Sequence, residues 1–202
     1  MPKESVLFKD MKKRVDRLKG KYMSRQLRNE AKDPIGYNFD ALNIAAYRLL
    51  VHAEIEEYIE AKAIEKLNEI KSNVAANGFN TGYYKNILAI ACLVGEPVSI
   101  TTPYDEGEFK QVVLKIISVA EDKVKKNNGI KKSSFILLAS FCGFAESSID
   151  PILLTNLESY GKRRGSVAHR GARHANNISA PSSEVSDAES IMNLLRFHFY
   201  GF

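Results

Sequence analysis

The chain has 202 residues, 45% of them apolar and 26% charged, with 29 Lys+Arg against 24 Asp+Glu and a net charge of +5. That length holds one domain with a sizeable core, and the composition excludes a disordered or collagen-like chain. Two cysteines exclude a disulfide scaffold and favour a reducing compartment, while the basic balance points to some anionic partner.

The first 33 residues hold eleven Lys/Arg and five Asp/Glu, so they alone carry +6. Within residues 5–31, Val6, Leu7, Met11, Val15 and Leu18 fall at helical spacing with Lys and Arg between them. The pattern predicts a basic amphipathic helix that ends at Asp33-Pro34-Ile35-Gly36. Residues 1–36 therefore read as a basic extension and linker, and residues 37–202 as the main domain. Asp40 then reads as the N-cap of a long helix over 41–71, with an apolar stripe through Leu42, Leu49, Ile55, Ile59, Leu67 and Ile70. Its polar face is strongly acidic and includes Glu54, Glu56, Glu57 and Glu60. His52 lies inside it and reads as a packed histidine.

Shorter helices are expected over 81–94, between Asn77-Gly78 and Gly95-Glu96-Pro97, and over 106–126, stopping at Asn127-Asn128-Gly129. Val98 to Thr102 is β-branched but too short to imply a sheet. Ser133 caps a very apolar element over 135–144 that holds Cys142; this thiol and Cys92 read as core residues. Asp150-Pro151 combines an N-cap acid with proline at the first helical position and opens a helix to about residue 168. After a loop over 175–183, Ser186 and Glu189 form a capping box ahead of Ile191, Leu194, Leu195 and Phe197. The fold class expected is all-α, a helical bundle.

No apolar run approaches a membrane span and the N-terminus lacks a signal peptide's apolar core, so a cytoplasmic protein with no membrane partner is expected. Phosphate-binding glycine loops and nucleophile elbows are absent, and the four histidines show no zinc-ligand spacing. No metal or cofactor is expected, which leaves any chemistry to basic and imidazole groups.

Those groups concentrate at YGKRRGSVAHRG, residues 160–171, inside a stretch with Lys162, Arg163, Arg164, Arg170 and Arg173 and no acid. Arg164 and His169 are five positions apart, about 140° around an ideal helix, and Gly165 and Gly171 offer the freedom to bend it. An Arg, four residues ending in Ala168, and then His169 near the end of a helix resembles the R-x4-6-H motif of HEPN-type ribonucleases. The preceding FCGFAESSIDPILLTNLESY (141–160) is similar to the segment feeding that motif in the RiboL-PSP-HEPN group, and YRLLVHAEIEEYIEA (47–61) resembles its first core helix.

The resemblance implies a HEPN-like bundle and metal-independent endonuclease chemistry, in which the RNA 2′-hydroxyl attacks the adjacent phosphate to leave a 2′,3′-cyclic phosphate. His169 would move protons and Arg164 would stabilise the phosphorane; Arg163, Ser166, His174 and Glu54 are auxiliary or alternative candidates, and Lys162, Arg170 and Arg173 would hold the RNA backbone. It also implies a homodimer with a composite cleft and a defence, stress or toxin setting, with an antitoxin or larger complex as partner. The family places a polar residue after the motif Arg where this chain has Gly165. Taking Arg163 as the motif residue puts Arg164 in that position, and both assignments stay open. Two alternatives stand beside this reading. One is a non-catalytic HEPN-like RNA-binding or dimerisation module; in the other, Arg164 pairs with Glu54 or Glu57 of the long helix.

Overall fold

A computed structural model describes residues 4–76, 81–95, 105–170 and 178–201. These residues form helices and turns with no strand among them, and the class is all-α. The helices are α1 (Val6–Leu18), a π turn (Lys19–Met23), α2 (Ser24–Lys32), α3 (Ala41–Ala75), α4 (Thr81–Val94), α5 (Glu106–Lys125), α6 (Lys132–Phe141), α7 (Pro151–Arg170) and α8 (Pro181–Tyr200). Among the described residues no helix is long and apolar enough to cross a membrane.

The chain divides into two compact units, and α3 runs through both. The first comprises Met1–Tyr58, Gly129–Lys132 and Asp150–Phe202. The expected basic extension, residues 1–36, belongs inside this unit, because its apolar face is spent on it. Phe8, Met11 and Val15 of α1 and Met23 of the π turn are buried, whereas Val6 is exposed and has no part in the stripe. From Val15 to Met23 is eight residues, where two α-turns take about seven. The π turn absorbs the extra residue and returns Met23 to the core.

Polar contacts fix the direction of each helix in this unit. Ser5 meets Tyr200, Lys19 meets Glu189 and Glu30 meets Ser182, so the N-terminal helix runs antiparallel to α8 along its whole length. Arg48 pairs with Glu184 and Tyr58 with Tyr200, which makes α3 and α8 parallel. Asn156 meets Ser190 and Arg163 meets Asp187, so α7 is antiparallel to α8. At one end Phe8 packs edge-on against Tyr58 and Tyr200, ring centroids 5.5 and 5.8 Å apart, an arrangement that complements the ring quadrupoles. At the other end lie the starts of α3 and α8 and the last turns of α7.

The helix α8 starts five residues ahead of the expected capping box. Pro181 occupies its first turn, and its N-cap Ala180 supplies no side-chain bond. Glu30 of α2 does that work from 152 positions away in sequence, accepting from the Ser182 N–H at 2.9 Å and Oγ at 2.7 Å. Nothing local to residues 181–185 announces this partner.

The second unit comprises Ile59–Asn128 and Ser133–Ile149. Its core takes Leu67, Ile70 and Val74 from α3, Ile90 from α4, Val113 and Ile117 from α5, and Phe135 and Leu138 from α6. Asp105 and Glu108 form a reciprocal capping box at the start of α5. The helix α6 ends at Phe141, before the expected 144. Gly143 adopts φ +93° and the Phe144 N–H closes back on the Ala139 carbonyl at 3.1 Å, a glycine C-terminal cap. Cys142 is half-buried, its thiol pushed up to about 12 by burial, but Cys92 is exposed and is not a core residue. Residues 98–102, with their β-branched run, lie outside the described residues.

Candidate active site

The helix α7 starts as its sequence requires, with Pro151 at the first position and the Asp150 carboxylate accepting from the Ile152 N–H at 2.7 Å. Leu153, Leu157 and Tyr160 then form its buried face. The helix continues unbroken through Gly165 to Arg170. Arg164 and His169 therefore share one continuous helix, five positions apart, a step that turns about 140° on an ideal helix. The His169 and Arg170 side chains, and all of Arg173 and His174, lie outside the described residues. Ser166 is half-buried on the same turns.

Three successive cations leave this helix in three directions. Lys162 is exposed and reaches back to Glu158 at 3.1 Å, a solvated (i, i+4) pair of small worth. Arg163 donates to Asp187 of α8 at 2.6 Å and lies over the Tyr160 ring, 5.5 Å from its centroid. That residue ties α7 to α8. Arg164 is half-buried, its charge is felt by His52 of α3, and no carboxylate among the described residues pairs with it. Glu54 and Glu57 are taken by Arg14 of α1. Glu54 is two residues along α3 from His52, on the opposite side of the helix, and so has no place as an auxiliary group at Arg164.

The same unit holds a buried polar layer. Arg48 and Glu184, 2% and 0% exposed, make a two-point ion pair with Nε to Oε1 at 2.8 Å and Nη2 to Oε2 at 2.5 Å. His52, 1% exposed, lies parallel to the Tyr160 ring with centroids 6.5 Å apart. Burial, and secondarily the Arg164 charge, brings its pKa down to about 4, so the imidazole is neutral at physiological pH. Burial likewise raises the pKa of Tyr47 and of Tyr160, keeping both phenols protonated. Among the described residues, His52 Nδ1 and the Tyr47 and Tyr160 hydroxyls have no hydrogen-bond partner. Arg164 thus carries a charge without a carboxylate partner among the described residues, in the unit that holds this buried polar layer. This is a setting in which a phosphate would be the first strong partner for Arg164.

Apart from His52, which its place in the long helix marks as packed, the residue order announces little of this polar layer. One signal was available: Arg48 is the single cation in the apolar run AAYRLLVH, between Ile44 and Val51 on the buried face. Its partner Glu184 lies in a polar segment with no such mark.

Gly165 has a helical backbone, and a Cβ built there meets nothing within 4 Å. Gly165→Ala is therefore expected to stabilise the protein by about 0.5–1 kcal/mol. The thermal midpoint, followed by circular dichroism, should rise by about 2–4 °C; a fall would show a strained helix there.

In comparisons with known proteins, no family model, curated protein or solved structure matches the chain.

Proposed function

We propose that the chain is a HEPN-like, metal-independent endoribonuclease in a defence, stress or toxin–antitoxin setting. The observation that carries the reading is the division of labour on α7. Arg163 is committed to Asp187, and Arg164, ahead of Ala-His on the same continuous helix, has no carboxylate partner among the described residues. This favours Arg164 over Arg163 as the motif cation.

In the proposed reaction the RNA 2′-oxygen bonds to the adjacent phosphorus and the bond to the 5′-oxygen breaks. The products are a 2′,3′-cyclic phosphate and a 5′-hydroxyl. His169 takes the proton of the 2′-hydroxyl and delivers it to the departing 5′-oxygen; an imidazole with a reference pKa near 6.5 suits both transfers at neutral pH. The Arg164 guanidinium stabilises the charge on the phosphorane oxygens. Lys162 is held only by a solvent-exposed pair and is free to exchange it for a phosphate; Arg170 and Arg173 serve the same backbone contacts. Because the two motif residues diverge by about 140° on one chain, a second copy completes the centre, making the working form a homodimer.

The test is cleavage of labelled RNA with EDTA present. His169→Ala should lower the rate by at least about 100-fold, with cyclic phosphate ends on the wild-type products. Equal rates in the two proteins would overturn the proposal. The same angular divergence, together with Gly165 in the polar position, favours a second reading: a non-catalytic HEPN-like module that binds RNA or dimerises. That module would bind RNA and release no cleavage products.

A further inference from the structure

The cations of the N-terminal helix are put to two uses. Those of α1 and the π turn are partly consumed inside the first unit, Arg14 by Glu54 and Glu57 and Lys19 by Glu189 at 2.7 Å. Exposed Asp10 and Asp16 dilute the remainder of α1. The face of α2 is different. Arg25, Arg28 and Lys32 are all exposed, with Lys21 one turn earlier, and no carboxylate among the described residues pairs with any of the four.

Steps of three and four place Arg25, Arg28 and Lys32 within about 60° of one another on the helix surface, along roughly 10 Å of its axis. The positions beside them, Ser24, Asn29 and Ala31, are uncharged. The nearby acids are already engaged: Glu30 with the start of α8, and Asp33 with the Gly36 N–H at 2.8 Å. A stripe of this kind repels itself, and no carboxylate among the described residues neutralises it. A polyanion is the complement its charge calls for.

Its position narrows the choice of polyanion. Glu30 meets Ser182, and Gln26 accepts from the Asp40 N–H at 2.8 Å, so α2 lies beside the starts of α8 and α3. This is the end of the first unit where Arg163 meets Asp187 and where Lys162 and Arg164 emerge. We infer that the exposed face of α2, formed by Lys21, Arg25, Arg28 and Lys32, is a docking surface for the phosphate backbone of RNA. The choice of RNA rests on the proposed activity, and the surface serves to hold strand that extends beyond the reacting phosphate.

The test uses the full chain and a variant with Lys21→Gln, Arg25→Gln, Arg28→Gln and Lys32→Gln. Gln keeps the helix, and the circular dichroism spectrum checks that it does. Binding is followed by fluorescence anisotropy of a labelled 2′-O-methyl oligouridylate, which lacks the attacking hydroxyl and so stays intact. The variant should bind about tenfold or more weakly at low salt, and the slope of log Kd against log salt should drop by about 2–3, at ~0.7 per lost single-strand phosphate contact. The cleavage rate at saturating RNA should be unchanged.

An unchanged affinity and salt slope would overturn the docking surface, whatever the His169→Ala result. So would displacement of the RNA by poly-glutamate as effective as that by unlabelled RNA of equal charge, which would assign the face to an acidic polypeptide. A protein that cleaves no RNA but loses RNA binding in the variant would establish the docking surface while removing the catalytic reading.

Discussion

Replacing Glu184 with Gln is expected to destabilise the protein by about 3–5 kcal/mol, a substantial fraction of a domain's total stability. The substitution preserves volume, so no cavity enters the result. It leaves the Arg48 guanidinium 2% exposed without its counter-charge. Burial disfavours that charge and is the largest single influence, but the Glu184 hydrogen bonds and the surrounding negative charge, Glu184 first, together outweigh it and leave the Arg48 pKa above its usual value. Arginine does not escape by losing its proton. The other acid whose charge reaches Arg48, Asp187, is paired with Arg163. At this chain length the loss corresponds to a fall in thermal midpoint on the order of 10 °C. A midpoint within two or three degrees of wild type would show that Arg48 finds another acceptor.

The double replacement Arg48→Met with Glu184→Leu separates the cost of an orphaned charge from the value of the pair. It should recover most of the loss, because taking both ions out of water already costs much of what their attraction returns. What the pair does contribute is register. Two parallel hydrogen bonds are satisfied at one relative height of α3 and α8, and that height sets where α7, clamped through Arg163 and Asp187, presents Arg164.

These pairs also mark the limits of what the residue order discloses. Helical periodicity and local caps announce most elements: the stop at Pro34-Ile35-Gly36, the Asp40 and Asp150 caps and the start of α7 all follow from neighbours in sequence. Where a helix start or the fate of a charged side chain is not legible, the partner is distant in the chain. The start of α8 depends on Glu30, and the inward turn of Arg14 and Lys19 depends on acids of α3 and α8. The acidic face of α3 reads as solvated from its composition. In the fold Glu54 and Glu57 receive Arg14, and Glu56 receives the Gly129 N–H. At the site, the basic cluster is plain from composition, yet the distinction between Arg163 and Arg164 is not. Which of two adjacent arginines meets Asp187 is decided by the packing of α8.

Acidification is expected to destabilise the first unit through His52, in a window set by that one residue. An unfolded histidine titrates near 6.5, and in the fold burial together with the Arg164 charge holds the group down to about 4. The unfolded chain therefore binds the proton first. The stability contributed by neutral His52 is fully present above pH 6.5 and is lost as pH falls towards 4, about 3 kcal/mol over the window. Three groups face the ring. Tyr160 is protonated and uncharged throughout, and Arg164 opposes a second positive charge. The Glu56 Oε2 lies 3.5 Å from Nδ1, too far for a hydrogen bond, while its Oε1 accepts from the Gly129 N–H. His52→Phe keeps an aromatic ring against Tyr160 and removes the titration. Urea unfolding of both proteins at intervals from pH 7 to 4 should give a stability difference that shifts in the variant's favour by about 3 kcal/mol. His198, whose pKa burial also lowers, is common to both and cancels. Parallel pH profiles would mean that water or Glu56 reaches the imidazole and carries its charge.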